Sequence, residues 1–173
     1  MKKLILILGG ARSGKSSYAV EMAKGFRKKV VFIATAANCD EEMAKRIAMH
    51  KKSRPRQWKL VEEGRDVSVI LPVLKDKYEV VLIDCLGLLV SNLLADDLAD
   101  EEIEKRVKEL VEVILKTNVT TIVVSNEVGS GIVPMNALAR RFRDLLGISN
   151  QMIAKKADEV IFMRAGIPVR IKD

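Results

Sequence analysis

Short apolar runs alternate with longer stretches of mixed polarity along this 173-residue chain. The apolar runs lie at 3–8, 29–34, 79–84, 120–125 and 159–163, each bounded by turn-forming or charged residues, with a weaker one at 168–171. Two of them, Val80-Val81-Leu82-Ile83 and Thr121-Ile122-Val123-Val124, show no polar alternation. Strands of that kind are buried on both faces, as in a parallel sheet. The intervening stretches predict helices over 15–24, 40–51, 100–116 and 136–156. The second of these opens with Asp40 as N-cap and Glu41 and Glu42 in its first turn, a helix start signal. The third sets Ile103, Val107, Leu110, Val111 and Ile114 on one face at helical spacing. The fourth follows Pro134 and is long and amphipathic, with Gly147 as a point of interruption. Residues 52–56 read as a polar, proline-containing loop, and 85–97 as irregular chain or a short helix.

Strand and helix alternation of this kind predicts an α/β fold, a doubly wound, mostly parallel sheet flanked by helices. No repeat, low-complexity tract or linker divides it, so residues 1–173 read as a single domain. Composition agrees, with 49% hydrophobic and 31% charged residues, an ordinary globular balance. Aromatics are only 4%, so the core is aliphatic. Cys39 and Cys85 stand far apart and form no CxxC pair, which argues against a disulfide framework or structural zinc. No apolar run approaches the ~20 residues that cross a bilayer. The chain therefore reads as cytoplasmic and soluble, without a membrane span. Its net charge of +7 favours anionic partners. The basic residues are nevertheless scattered, with concentrations at 24–29 and 45–59, and most read as a solvated surface.

The first strand runs directly into Gly9, Gly10, Ala11, Arg12, Ser13, Gly14, Lys15 and Ser16, which match GxxxxGK[ST]. Between a strand and a helix, that pattern is a phosphate-binding loop. Glycines let main-chain N–H groups curl round an anion, and the helix N-terminus adds its dipole. Lys15 is placed to reach the β- and γ-phosphates, and Ser16 to ligate Mg2+. The fold expectation thereby sharpens to a P-loop NTPase-like (RecA-like) sheet, with ATP or GTP as ligand. Asp84 closes another apolar strand, the usual position of a second Mg2+-associated group. A loop carboxylate or a helix cap is the plainer reading of the same residue.

The single histidine, His50, shares a helical stripe with Glu42 and Arg46. A lone histidine is more often structural or exposed. Lys51, Lys52, Arg54 and Arg56 follow it closely, however, and could neutralise a triphosphate. A neutral imidazole there could attack phosphorus. Trp58, the one tryptophan, is either a stacking surface or core. Asn126-Glu127-Val128-Gly129 follows a strand at the sheet edge where ligands commonly bind, although a turn-forming role explains the same residues.

Five segments in this order, GGARSGKS, FIATA, DEEMAKRIAMHKKSRPRQW, SNEVGSGIVP and ALARRFRDLLGISNQMIAKKADEV, carry a resemblance over the whole chain. The chain resembles the bifunctional adenosylcobinamide kinase / adenosylcobinamide-phosphate guanylyltransferases of cobalamin biosynthesis. RIxxHxxxRPxxW together with GGARSGKS is far more specific than a phosphate loop alone. The resemblance implies phosphorylation of the aminopropanol hydroxyl of adenosylcobinamide by a nucleoside triphosphate, then transfer of GMP from GTP to that phosphate. It implies a covalent guanylyl group on His50. It implies guanine-nucleotide contacts at Gly9 through Ser16, at Ala34, Thr35 and Ala36, at Lys51, Lys52, Ser53 and Arg54, and at Glu62 and Asp84. Taken by itself, Glu62 beside Glu63 reads equally as a surface carboxylate. The resemblance also implies an oligomer, a propeller-like trimer in the best-known members. Some members carry paired histidines where Met49 precedes His50 here, and some carry glutamate in place of Asp84. Two other readings predict different chemistry: a generic small-molecule P-loop kinase with a structural His50, and a nucleic-acid-dependent ATPase. Sparse aromatics and the lack of a basic stripe count against nucleic acid as a partner.

Overall fold

The computed structural model describes residues 2–36 and 55–173. His50, Lys51, Lys52, Ser53, Arg54, Cys39 and the helix expected over 40–51 lie outside the described residues. The elements run β1 (Leu4–Gly9), α1 (Lys15–Gly25), β2 (Val30–Ala34), β3 (Lys59–Glu62), α2 (Val67–Leu74), β4 (Val80–Asp84), α3 (Leu86–Ala95), α4 (Asp100–Lys116), β5 (Thr120–Asn126), α5 (Ala137–Lys156), β6 (Glu159–Arg164) and β7 (Ile167–Lys172). Seven strands form one sheet in the order β3-β2-β4-β5-β1-β6-β7. All neighbours pair parallel except β6 and β7, which form an antiparallel hairpin. The expected α/β, mostly parallel architecture is the one observed.

Uniform apolarity of the strands has a direct structural cause. Leu4 and Leu6 point to one face, and Ile5 and Ile7 to the other. Helix α1 covers the second face through Ala19, Val20 and Ala23. Helices α2, α3, α4 and α5 cover the first, with Leu71, Leu86, Leu93, Ile103, Leu110 and Leu146 almost fully buried. Trp58 is half-buried and packs against the α1-side cluster, so it serves the core.

Helix ends follow local chemistry. Asp100, Glu101 and Glu102 occupy the first turn of α4 and Lys116 its last, complementing the dipole at both ends. Asn136 caps α5, its side-chain oxygen accepting the Ala139 N–H at 3.0 Å. Gly147 does not interrupt that helix. Residues 86–95 form a regular ten-residue helix, the second of the two readings for 85–97, while two elements, β3 and α2, were not expected from the sequence. Strand β3 is four residues at the sheet edge, too short to carry a pattern. Helix α2 contains Pro72 and is apolar nearly all round, with Val69 and Val73 exposed, which hides its periodicity.

Candidate nucleotide-binding site

Strand β1 lies in the middle of the sheet between β5 and β6, and the chain leaves it at Gly9 into the phosphate loop. A Cβ at Gly9 would lie 2.6 Å from the Met163 carbonyl oxygen and 2.6 Å from Ser13 Oγ, so no side chain fits there. Gly14 has φ 93°, a left-handed conformation that brings the chain into α1. The first turn of α1 holds no acidic residue, unlike that of α4. Its free N–H groups and positive dipole end are therefore left for an anion. The β6–β7 turn braces the loop from the side, with the Gly166 N–H donating to the Ser13 carbonyl at 3.1 Å.

Lys15 is buried, and its Nζ donates to the Gly10 carbonyl at 2.6 Å. Burial lowers the pKa of this ammonium, and the opposing influence of Cys85 and Asp84 does not cancel it. The amine is thus held inside the loop, beside the acidic end of β4, with hydrogen-bonding capacity to spare.

Sheet register gathers the other expected residues on the same carboxyl edge. Ala34 pairs with Asp84 on one side and with Glu62 on the other. Gly9 pairs with Asn126. Ligands of open α/β sheets bind outside this edge. Ser16 is the second residue of α1, beside Lys15. Glu62 is exposed at the end of β3. Thr35 is fully buried, and its side chain turns inward. Its hydroxyl donates to the Cys85 carbonyl and accepts the Cys85 N–H, each at 2.7 Å, while its N–H donates to the Asp84 carbonyl at 3.1 Å. Any nucleotide contact at 34–36 therefore falls to groups other than the Thr35 side chain.

Several residues that hold this edge together escaped the sequence reading. The Asn92 amide donates to the Thr35 carbonyl at 2.9 Å and the Gly64 carbonyl at 3.0 Å, tying α3 to the chain after β2 and β3. A buried asparagine within the apolar run LGLLVSNLLA was the available signal. On the other side, Ser125 Oγ donates to Asn150 Oδ1 at 2.6 Å, and Asn150 Nδ2 to the Asn126 carbonyl at 3.0 Å. The Glu127 carboxylate accepts the N–H groups of Gly129 and Ser130 at 2.6 and 3.1 Å, so it forms the turn. Its own N–H donates to the Gly9 carbonyl at 3.0 Å, fastening that turn to the phosphate loop. Cys85 is buried, and its thiol is pushed up to about 12, chiefly by burial and then by Asp84. It stays protonated at neutral pH and is no nucleophile.

Residues 5–171 match the family described as cobinamide kinase / cobinamide phosphate guanyltransferase. The chain belongs to that family. It is 38% identical to the bifunctional adenosylcobalamin biosynthesis protein CobU of Escherichia coli (strain K12), over 98% of this chain and 99% of the relative. It is 39% identical to the protein of the same name from Salmonella typhimurium, with the same coverage. It is also 39% identical to the bifunctional adenosylcobalamin biosynthesis protein CobP of Pseudomonas aeruginosa, over 96% of each chain. Cobinamide kinases / guanyltransferases carry two phosphorus-transfer activities by description, and one sheet edge here brings phosphate loop, acidic strand end and strand β3 together. Among the described residues, no helix is long and apolar enough to cross a membrane.

Proposed function

We propose that the chain phosphorylates adenosylcobinamide with ATP or GTP, and then transfers GMP from GTP to adenosylcobinamide phosphate, releasing pyrophosphate. The observation that carries this reading is family membership over residues 5–171, joined to a phosphate loop whose lysine lies beside Asp84. In the kinase step the Lys15 ammonium leaves the Gly10 carbonyl for the β- and γ-phosphates, and the α1 amides hold their oxygens. Lys15, already stripped of much of its water, acts there at closer to full electrostatic strength.

The Ser16 hydroxyl and the Asp84 carboxylate fit Mg2+, a hard cation that takes oxygen ligands. Among the described residues no group of three His, Cys, Asp or Glu gathers as a dedicated metal cage. That suits an ion held by one carboxylate, a hydroxyl and substrate phosphates. When bound, the ion supplies positive charge against the phosphate oxygens.

Guanylyl transfer runs through His50. Its imidazole nitrogen attacks the α-phosphorus of GTP, forming a P–N bond as the bond to pyrophosphate breaks. An oxygen of adenosylcobinamide phosphate then displaces the imidazole, giving adenosylcobinamide-GDP. Lys51, Lys52 and Arg54 neutralise the α-phosphate, Ser53 hydrogen-bonds to it, and Ala34, Ala36 and Glu62 hold the nucleoside. The enzyme works as an oligomer, with a trimer the expected form.

The test is labelling with α-phosphate-labelled GTP and Mg2+, comparing the wild type with His50→Asn. Acid-labile, alkali-stable label on the wild type alone is the expected result. Bound GTP without label on either protein would leave a plain kinase with a structural His50.

A further inference from the structure

The chain between β5 and α5 inverts the usual polarity of a surface loop. Ile132 is 96% exposed, Met135 99% and Val133 58%, and Leu138, in the first turn of α5, is also 58% exposed. Exposed loops ordinarily turn polar groups to water and hide their apolar ones. Here the polar groups hold the main chain instead. At the base, Glu127 receives the N–H groups of Gly129 and Ser130. At the top, Arg140 donates to the carbonyls of Pro134 and Met135 at 2.9 and 2.6 Å, and Asn136 caps α5. The segment is thus braced at both ends while its large apolar side chains face outward.

Its position says what those side chains meet. The Glu127 N–H is bonded to the Gly9 carbonyl, so the connection that leads to these side chains starts beside the phosphate loop, on the sheet's ligand-binding edge. An acceptor attacking a phosphate held at Lys15 has to bring the rest of its body over a neighbouring surface of that edge. The acceptor of a cobinamide kinase is an alcohol on a short arm, and the rest of the molecule is a broad macrocycle bearing both methyl and amide groups. Such a body cannot enter the phosphate loop, and needs an open surface beside it whose apolar side chains meet the methyl-bearing parts.

We infer that Ile132, Val133, Met135 and Leu138 form the platform on which the macrocycle of the acceptor rests. The inference depends on the proposed function and adds residues that decide acceptor specificity. These side chains touch only the non-reacting part of the acceptor, so they act on its binding rather than on nucleotide binding or the chemical step.

The experiment compares the full-length wild type with an Ile132→Ser/Met135→Ser double variant and a conservative Ile132→Val/Met135→Leu pair. Kinase kinetics are joined to equilibrium dialysis of adenosylcobinamide, followed by its visible absorbance. The serine variant is expected to raise KM and Kd for adenosylcobinamide on the order of tenfold, leaving KM for the triphosphate within about twofold, with the conservative pair like the wild type. Unchanged acceptor affinity in the serine variant overturns the inference. So does a smaller species in sedimentation velocity that accounts for the loss, because the surface would then serve a second copy of the chain. A wild type that binds nucleotide yet phosphorylates no cobinamide would fail the functional reading itself, independently of the variants.

Discussion

The Thr35 hydroxyl and the Cys85 main chain grip each other twice, as donor to the carbonyl and acceptor from the N–H, both at 2.7 Å. This reciprocal pair closes the seam between the ends of β2 and β4, one residue from Asp84. Both groups are buried, so removing the hydroxyl leaves the Cys85 N–H unpartnered, while its carbonyl keeps the Leu89 N–H at 3.2 Å. Thr35→Val is expected to cost about 1–3 kcal/mol in urea denaturation. Asn92→Leu should cost a comparable amount, since it strands the Thr35 and Gly64 carbonyls. Because both residues serve one edge, a double-mutant cycle should show non-additivity.

Gly9→Ala tests the tight fit of the phosphate loop. The new methyl would meet the Met163 carbonyl and Ser13 Oγ at 2.6 Å, and the main chain there cannot give way cheaply. A destabilisation of about 1–3 kcal/mol is expected, accompanied by weaker GTP binding in calorimetry. Wild-type GTP affinity in the alanine variant would show that the loop tolerates the shift.

Lys15 sets function against stability. Its folded pKa lies below the ordinary 10.5, so the unfolded chain holds this proton more tightly than the folded one. Stability from this group therefore rises as pH climbs through the lowered folded value toward 10.5, and the burial penalty is fully present below that folded value. Lys15→Met, similar in length and uncharged, should melt at a higher temperature than the nucleotide-free wild type at pH 7. It should also lose both transfer reactions and thermal stabilisation by GTP. A lower melting temperature would mean that the bond to the Gly10 carbonyl outweighs the desolvation.

Cys85 responds to pH in the opposite sense. Its thiol titrates near 12 when folded, against 9.0 ordinarily, so above pH 9 the unfolded chain loses the proton first and stability from this group falls. At pH 8 the folded protein should leave the Cys85 peptide unalkylated by iodoacetamide in mass spectrometry, and denaturation should expose it. Rapid native labelling at that peptide would contradict the buried, neutral thiol.

Features that repeat along the chain could be read before any coordinates, because repetition is what a pattern records. Five apolar runs and the amphipathic faces of α4 and α5 announced the sheet and its cover. The place of the glycine loop, between a strand and a helix, was legible too, and its spacing is the one phosphate binding requires. What stayed hidden was made by single contacts between distant segments. Nothing adjacent to Asn92 indicates that its amide reaches Gly64, 28 positions earlier. Thr35 was expected among the nucleotide contacts from its place in FIATA, yet its hydroxyl is spent on Cys85. The polarity of the 132–138 segment was visible as letters, but only the fold reveals that those side chains face outward.

The bond between Gly166 and Ser13 has a consequence for how the protein is made. Strand β1 leaves the ribosome first, but its two neighbours in the sheet, β5 and β6, follow more than a hundred residues later. The β6–β7 turn that braces the phosphate loop comes later still. A nascent chain arrested short of Gly166 carries the whole GGARSGKS motif, and β5 and β6 beside it, but lacks the bond from the Gly166 N–H to the Ser13 carbonyl. The glycine loop therefore receives its last brace only when the β6–β7 turn has been made, about 150 residues after the motif itself.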